Sequence, residues 1–229
     1  MQKCATNEAT EAQMTIKYVL WDNDGVLVDT EEGYFEATQR VLADLGIELA
    51  IDPYMHLRAR GGSAWDLAEE AGVDRSIIER HRSLRDQHYQ TFIRSREVEI
   101  PGVHDVVSRL AQMHKMAIVT TSKRRDFELI HRSGRIVRHM EFVLTRESFA
   151  REKPHPDGYL AALERFGATP EEAVVVEDSK QGLDAARAAG LACLIVHNRF
   201  FGPRQDFTGA AAMLRSIDEV PDAIAALHG

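Results

Sequence analysis

Cysteine is nearly absent from these 229 residues, and there is no excess of positive charge. The two cysteines, Cys4 and Cys193, have no metal-ligand spacing and cannot build a disulfide framework. Cys193 lies in the apolar run LACLIV, which points to a buried thiol rather than a reactive one. The formal net charge of −8 argues against a broad nucleic-acid surface, because such surfaces are basic. Anionic small molecules stay open, since one pocket can differ in sign from the whole surface. No apolar stretch reaches membrane-spanning length, so no membrane partner is expected. The opening MQKCATNEATEAQMT lacks the apolar segment of a secretory signal, which favours a reducing, cytoplasmic location. There is no internal repeat and no low-complexity tract.

What is present alternates. Short β-rich runs, IKYVLW (16–21), MAIVT (116–120), FVL (142–144), AVVVE (173–177) and ACLIV (192–196), are separated by segments of helical pattern. Continuous apolar strands between helices indicate a parallel sheet covered on both faces. HPDGYLAALERFG reads as a helix opened near Pro156 and closed by Gly167. TPEE has capping-box spacing with proline at the first helical position, and KQGLDAARAAG is a helix stopped at Gly190. Between the first and second strands the alternation breaks. From Thr30 to about Arg96 the pattern is helical throughout, with Ile77, Ile78, His81, Leu84, His88, Tyr89 and Phe92 at helical spacing and Ser63 placed to cap a helix ending before Gly72. The expected organisation is a mobile leader at 1–14, an α/β core at 15–29 and 98–229, and an inserted helical domain at 30–97.

In parallel α/β sheets ligands bind beyond the carboxyl ends of the strands. The first strand is followed by Asp22 and Asp24. MAIVT ends in Thr120, Thr121, Ser122 and Lys123, FVL leads to Lys153, and AVVVE ends in Glu177, Asp178 and Ser179. If the sheet is parallel, these residues share one edge. Like charges ~4 Å apart repel by ~4 kcal/mol at an effective dielectric near 20. Four carboxylates and a phosphate therefore need cations, and a hard divalent ion such as Mg²⁺, with Lys153 beside it, meets that need. Thr120 and backbone N–H groups at the next helix start can hold phosphate oxygens. Taken singly, each feature has a plainer reading: a strand-ending turn at Asp22 and Asp24, a β-strand threonine, a solvated lysine, an acidic helix start at Glu177 and Asp178.

Taken together, WDNDGVLVDT, IVTTSK, REKPHPDGYL and VVEDSKQGLDAARAAG resemble, in order, the four motifs of the haloacid dehalogenase-like hydrolases. The similarity is greatest to the branch containing β-phosphoglucomutase and small-molecule phosphatases. That resemblance implies a Rossmann-like core with an inserted all-helical cap. It implies Asp22 as nucleophile, forming an aspartyl-phosphate, and Asp24 as general acid and base. Thr120, Thr121 and Lys153 would hold the phosphoryl group. Mg²⁺ would be bound by Asp22, the Asp24 backbone carbonyl and Asp178, with Glu177 as a further or outer ligand. Cap residues Arg58, Arg60 and Trp65 would face a small phosphorylated metabolite, such as a sugar phosphate.

Other readings compete. An EF-hand register places Asp22, Asp24 and Glu31 at positions three, five and twelve of a calcium loop, but Leu20 at position one and a strand-like approach oppose it. A phospho-receiver has its acidic pair first, whereas here Asp-x-Asp comes first and Glu-Asp last. Haloacid dehalogenases proper lack the second aspartate of the first motif. A phosphosugar mutase is the closest alternative to a phosphatase. β-Phosphoglucomutases carry a histidine shortly after the first motif and an arginine in a cap loop. By ungapped count the histidine position here is Tyr34 and the arginine position, in the loop LRARGGSAW, falls near Ala64, which favours hydrolysis. Arg58 or Arg60 would take the arginine's role if the loop were shifted. Trp21 and Asn23 also depart from the common pattern, which has phenylalanine and a hydrophobic residue.

Overall fold

The computed structural model describes residues 15–198, 200 and 205–227. The leader expected at 1–14 and Cys4 lie outside the described residues. Six parallel strands form one sheet: β1 (Tyr18–Trp21), β2 (Lys115–Val119), β3 (Phe142–Leu144), β4 (Ala173–Glu177), β5 (Ala192–Val196) and β6 (Ala212–Leu214), in the spatial order β3-β2-β1-β4-β5-β6. The register pairs Trp21 with Ile118 on one side and with Val176 on the other, so β2 and β4 run one residue past β1 and Asp22 falls beside Val119 and Glu177.

The strands lie in the interior because both of their faces are apolar, and the two-residue side-chain period divides them between two cores. Val19, Trp21, Met116, Ile118, Val174, Val176, Leu194 and Val196 point to one side. Leu20, Ala117, Val119, Val175, Cys193 and Ile195 point to the other. Trp21 is fully buried, and its indole N–H donates to Met116 Sδ at 3.3 Å. Cys193 is buried as expected, and burial pushes its thiol well up.

Helices α1 (Glu31–Ala43), α2 (Ile51–Ala59), α3 (Asp66–Glu70) and α4 (Arg75–Ser95) fill the segment between β1 and β2, ahead of α5 (Val103–Leu110). They enclose a third core built on Phe35, Val41, Leu42, Tyr54, Trp65 and Ile78. Asp74 caps α4 by accepting from Ser76 N at 2.8 Å. Near Ser63 the expected cap is displaced. The helix starts at Asp66, whose carboxylate accepts from Ser63 N, while Ser63 Oγ accepts from Trp65 N. The buried face of α4 is Ile78, Arg85, Tyr89, Gln90 and Ile93, and Ile77 is exposed. Apolar spacing alone therefore set that face slightly wrong, because a buried arginine and glutamine lie on it. Tyr89 and Ile93 also pack into the sheet's own core, so α4 joins the two bodies.

The remaining helices are α6 (Arg124–Ile130), α7 (Asp157–Phe166), α8 (Lys180–Ala188) and α9 (Val220–Ala226). TPEE forms a single 3₁₀ turn at Pro170–Glu172 with both capping-box bonds made, because β4 begins immediately after it. Helix α8 lies close on the sheet through Leu183, Ala185, Ala186 and Ala189. A Cβ added at Gly182 would overlap the Glu177 carboxylate.

In an exposed helix, replacing glycine by alanine stabilises by up to ~1 kcal/mol. Gly182→Ala should reverse that sign and destabilise by about 2 kcal/mol or more, because α8 must move off the sheet. Urea denaturation checks this, and a gain in stability would contradict the close approach.

Candidate active site

Lys153 stands at the centre of the strand-end cluster. Its ammonium donates to Asp22 Oδ1 at 2.5 Å, to Glu177 Oε1 at 2.6 Å and to the Val119 carbonyl at 3.1 Å. Three strands thus converge on one nitrogen: β1 through the residue after it, β2 through its last carbonyl and β4 through its last side chain. Burial would lower the lysine pKa, but the charges of Asp22 and Glu177 outweigh burial and raise it.

Glu177 has no oxygen to spare. Its Oε1 also accepts from Tyr159 OH at 3.0 Å. Its Oε2 accepts from Asp178 N, Ser179 N and Ser179 Oγ at 3.0–3.2 Å. Burial works against its ionisation, yet Lys153 and these donors hold it below the usual glutamate value.

Asp22 and Asp178 are not so well compensated. Asp22 is raised from 3.8 to about 7, first by burial and then by the charge of Glu177, with Lys153 pulling the other way. Among the described residues no donor reaches its Oδ2. Asp178 is raised by burial and by the charges of Glu177 and Asp22, and Asn198 Nδ2 donates to its Oδ2 at 2.6 Å. Oxygens of Asp22, Glu177 and Asp178 lie within 4.8 Å of one another. At an effective dielectric near 20 each such pair repels by roughly 3–4 kcal/mol. Gly25, at φ +86°, lets the turn pass against this cluster, and a Cβ there would strike Asp178 Oδ2.

These donors suit a hard divalent cation: carboxylate oxygens, buried, with negative charge in excess of the one ammonium. Asp22 and Asp178 are the residues that could hold it. Glu177, expected as a further or outer ligand, belongs to the same carboxylate group, and its oxygens are already engaged by protein donors.

Asp24 lies beside this cluster. Its Oδ1 accepts from Thr30 Oγ1 at 2.5 Å, and its Oδ2 accepts from Ser122 Oγ, from Asn23 Nδ2 at 3.2 Å and, at 3.5 Å, from Thr120 Oγ1. Thr120 also accepts from Ser122 N at 3.0 Å, which shapes the turn after β2. Asp22, Asp24, Thr121, Lys153, Glu177 and Asp178 line one cavity of about 130 Å³, to which Arg58 also contributes. Asp24, Arg58, Trp65 and Thr121 also line a larger cleft of about 510 Å³ between the helical insertion and the sheet. Arg58 is tied to Glu31 at 3.3 Å. Arg60 is elsewhere: it is exposed, lines neither cavity, and donates to the His56 carbonyl.

Sequence reasoning missed Tyr159, Asn198, Thr30 and the buried Arg85, whose guanidinium stacks over Tyr34 at 4.4 Å. Asn198 had a usable signal, since it follows β5 as the other site residues follow their strands.

Residues 19–196 match the model of the haloacid dehalogenase-like hydrolase family. The chain is 30% identical over 205 residues to the phosphorylated carbohydrates phosphatase of Thermotoga maritima, spanning 86% of this chain and 93% of that protein. It is 29% identical over 181 residues to the fructose-1-phosphate phosphatase of Escherichia coli, spanning 76% and 92%. A solved structure of a CbbY variant from Rhodobacter sphaeroides in complex with xylulose-1,5-bisphosphate is 25% identical, with a TM-score of 0.77 over 90% of this chain and 96% of that one.

Folding favours the protonated form of Asp22, so its contribution to stability is full below 3.8 and is lost as pH rises through about 7. A divalent cation competes with that proton. The thermal stabilisation produced by Mg²⁺ or Mn²⁺ should therefore grow between pH 5 and 7.5, and Asp178→Asn should remove most of it. An increment that ignores pH, or survives in Asp178→Asn, contradicts the site.

Proposed function

This chain belongs to the haloacid dehalogenase-like hydrolase family, and on that premise we propose that it is a Mg²⁺-dependent phosphatase of a small phosphorylated carbohydrate, working through an aspartyl-phosphate on Asp22. One observation carries this reading: Asp22 lines the cavity with its Oδ1 clamped by Lys153, and no donor among the described residues reaches its Oδ2.

Phosphoryl transfer depends on alignment and charge neutralisation. Asp22 Oδ2 attacks phosphorus, and the bond from phosphorus to the sugar oxygen breaks. Asp24 delivers a proton to that departing oxygen. It then takes a proton from the water that cleaves the phosphorus–Asp22 bond and restores the free carboxylate. Lys153, Thr120 and Thr121 hold phosphoryl oxygens, and Glu177 holds Lys153. Asp22, Asp178 and the Asp24 carbonyl would hold Mg²⁺, which would supply positive charge against the phosphate dianion and the carboxylates. Residues 30–97 act as a cap whose face, with Arg58 and Trp65, selects the leaving group and excludes water.

Hydrolysis is favoured over the mutase alternative by the residues at the two positions where a mutase carries its histidine and its cap arginine. Tyr34 packs edge-on to Tyr89 at 5.3 Å under the Arg85 guanidinium, and Ala64 is buried. Neither offers the acid–base or phosphate-binding group that a mutase would use there. The named activities of the Thermotoga maritima and Escherichia coli relatives support the carbohydrate assignment.

A panel of phosphorylated carbohydrates, assayed with and without Mg²⁺ for both free phosphate and isomerised sugar phosphate, tests the reading. Phosphate release that needs Mg²⁺ is expected. Asp22→Asn should lower kcat by about 10³-fold or more with the fold intact. Isomerised product without phosphate release, or substantial turnover by Asp22→Asn, would overturn it.

A further inference from the structure

Asn23 sits between the two aspartates of the first motif, and its side chain is fully buried. Nε2 of His131, the residue that ends α6, lies 2.7 Å from Asn23 Oδ1. On its other side Asn23 Nδ2 donates to Asp24 Oδ2 at 3.2 Å. Only this orientation of the amide serves both neighbours, because turning it over would set Oδ1 against a carboxylate oxygen. With the amide so turned by Asp24, Nε2 of His131 is the donor to Asn23 Oδ1. Burial keeps the imidazole neutral, with its pKa lowered to about 4, and Phe127 packs on the ring with centroids 4.4 Å apart.

The other close donors to Asp24 differ in kind. Thr30 and Ser122 line the large cleft, where an incoming substrate can exchange hydrogen bonds with their hydroxyls. Asn23 and His131 line neither that cleft nor the smaller cavity. Asn23 reaches Asp24 from outside the cleft lining, so an occupant of the cleft does not compete for that bond.

Resting on the phosphatase reading, we propose that His131 and Asn23 are a positioning pair that fixes the Asp24 carboxyl for proton transfer to the departing oxygen. Neither touches substrate. Their effect is selective, because a sugar alkoxide needs a proton as it leaves and an aryl oxide does not. The pair thus tunes the enzyme toward alkyl phosphates.

The test compares kcat of the Mg²⁺-loaded enzyme on a phosphorylated carbohydrate and on para-nitrophenyl phosphate. In His131→Leu, which loses one neutral hydrogen bond, and in Asn23→Leu, which also loses the bond to the Asp24 carboxyl, the ratio of the two should fall about fivefold or more. His131→Gln, whose amide can also donate to Asn23 Oδ1, should recover most of the ratio. The double variant should be no worse than Asn23→Leu alone, because His131 acts through Asn23. Equal losses on both esters, or an unchanged ratio, would overturn the pair. If His131→Leu does not fold, Asn23→Leu reads the same ratio and decides alone. Failure of the wild type on every ester would count against the phosphatase reading, and the inference would fall with it.

Discussion

One ammonium group among three buried carboxylates is the constraint on which the rest of this structure depends. Lys153 balances one of the charges on Asp22, Glu177 and Asp178, which leaves two negative charges over when all three are ionised. A protein interior does not hold such an imbalance without a proton or a cation. Protons answer it in part, as the raised values of Asp22 and Asp178 show. A divalent cation would answer it fully and would let a phosphate dianion approach.

The division of labour follows from where the donors are. Glu177 draws on five donors and stays ionised, so it serves as the fixed anchor of Lys153. Asp22 and Asp178 keep unfilled capacity and face the cavity. The sheet register makes this possible, since it sets Asp22, just past β1, beside the last residues of β2 and β4, Val119 and Glu177. Two glycines complete it. Gly25 lets the turn after β1 pass Asp178, and Gly182 lets α8 lie against Glu177.

Much of this was legible in the amino-acid order. Five of the strands are unbroken apolar runs, and the polar residues that follow four of them meet at one edge. The parallel α/β core with helices on both faces and a helical insertion could be read from that alternation. What escaped notice has physical reasons. Ala212–Leu214 is only three residues long and edge-placed, so it carries little pattern. Arg85 and Gln90 are buried through stacking and pairing with Asp126 rather than through apolarity, which misdirects a hydrophobic count on α4. Asn23 could be flagged as unusual but not understood, because its partner His131 is 108 residues away in the chain. Arg58 lies in the last turn of α2 and Arg60 at its cap; two residues of helix turn a side chain by about 200°, so Arg60 is exposed while Arg58 lines the cleft.

The central claim is that the excess negative charge beside Lys153 belongs to a divalent cation held by Asp22 and Asp178. Anomalous diffraction from crystals soaked in Mn²⁺ tests it most directly. The account predicts one peak within coordination distance of carboxylate oxygens on both residues, with Lys153 still paired to Glu177. A peak elsewhere with none at this position, or an ion that displaces Lys153 to bind Glu177, would contradict it.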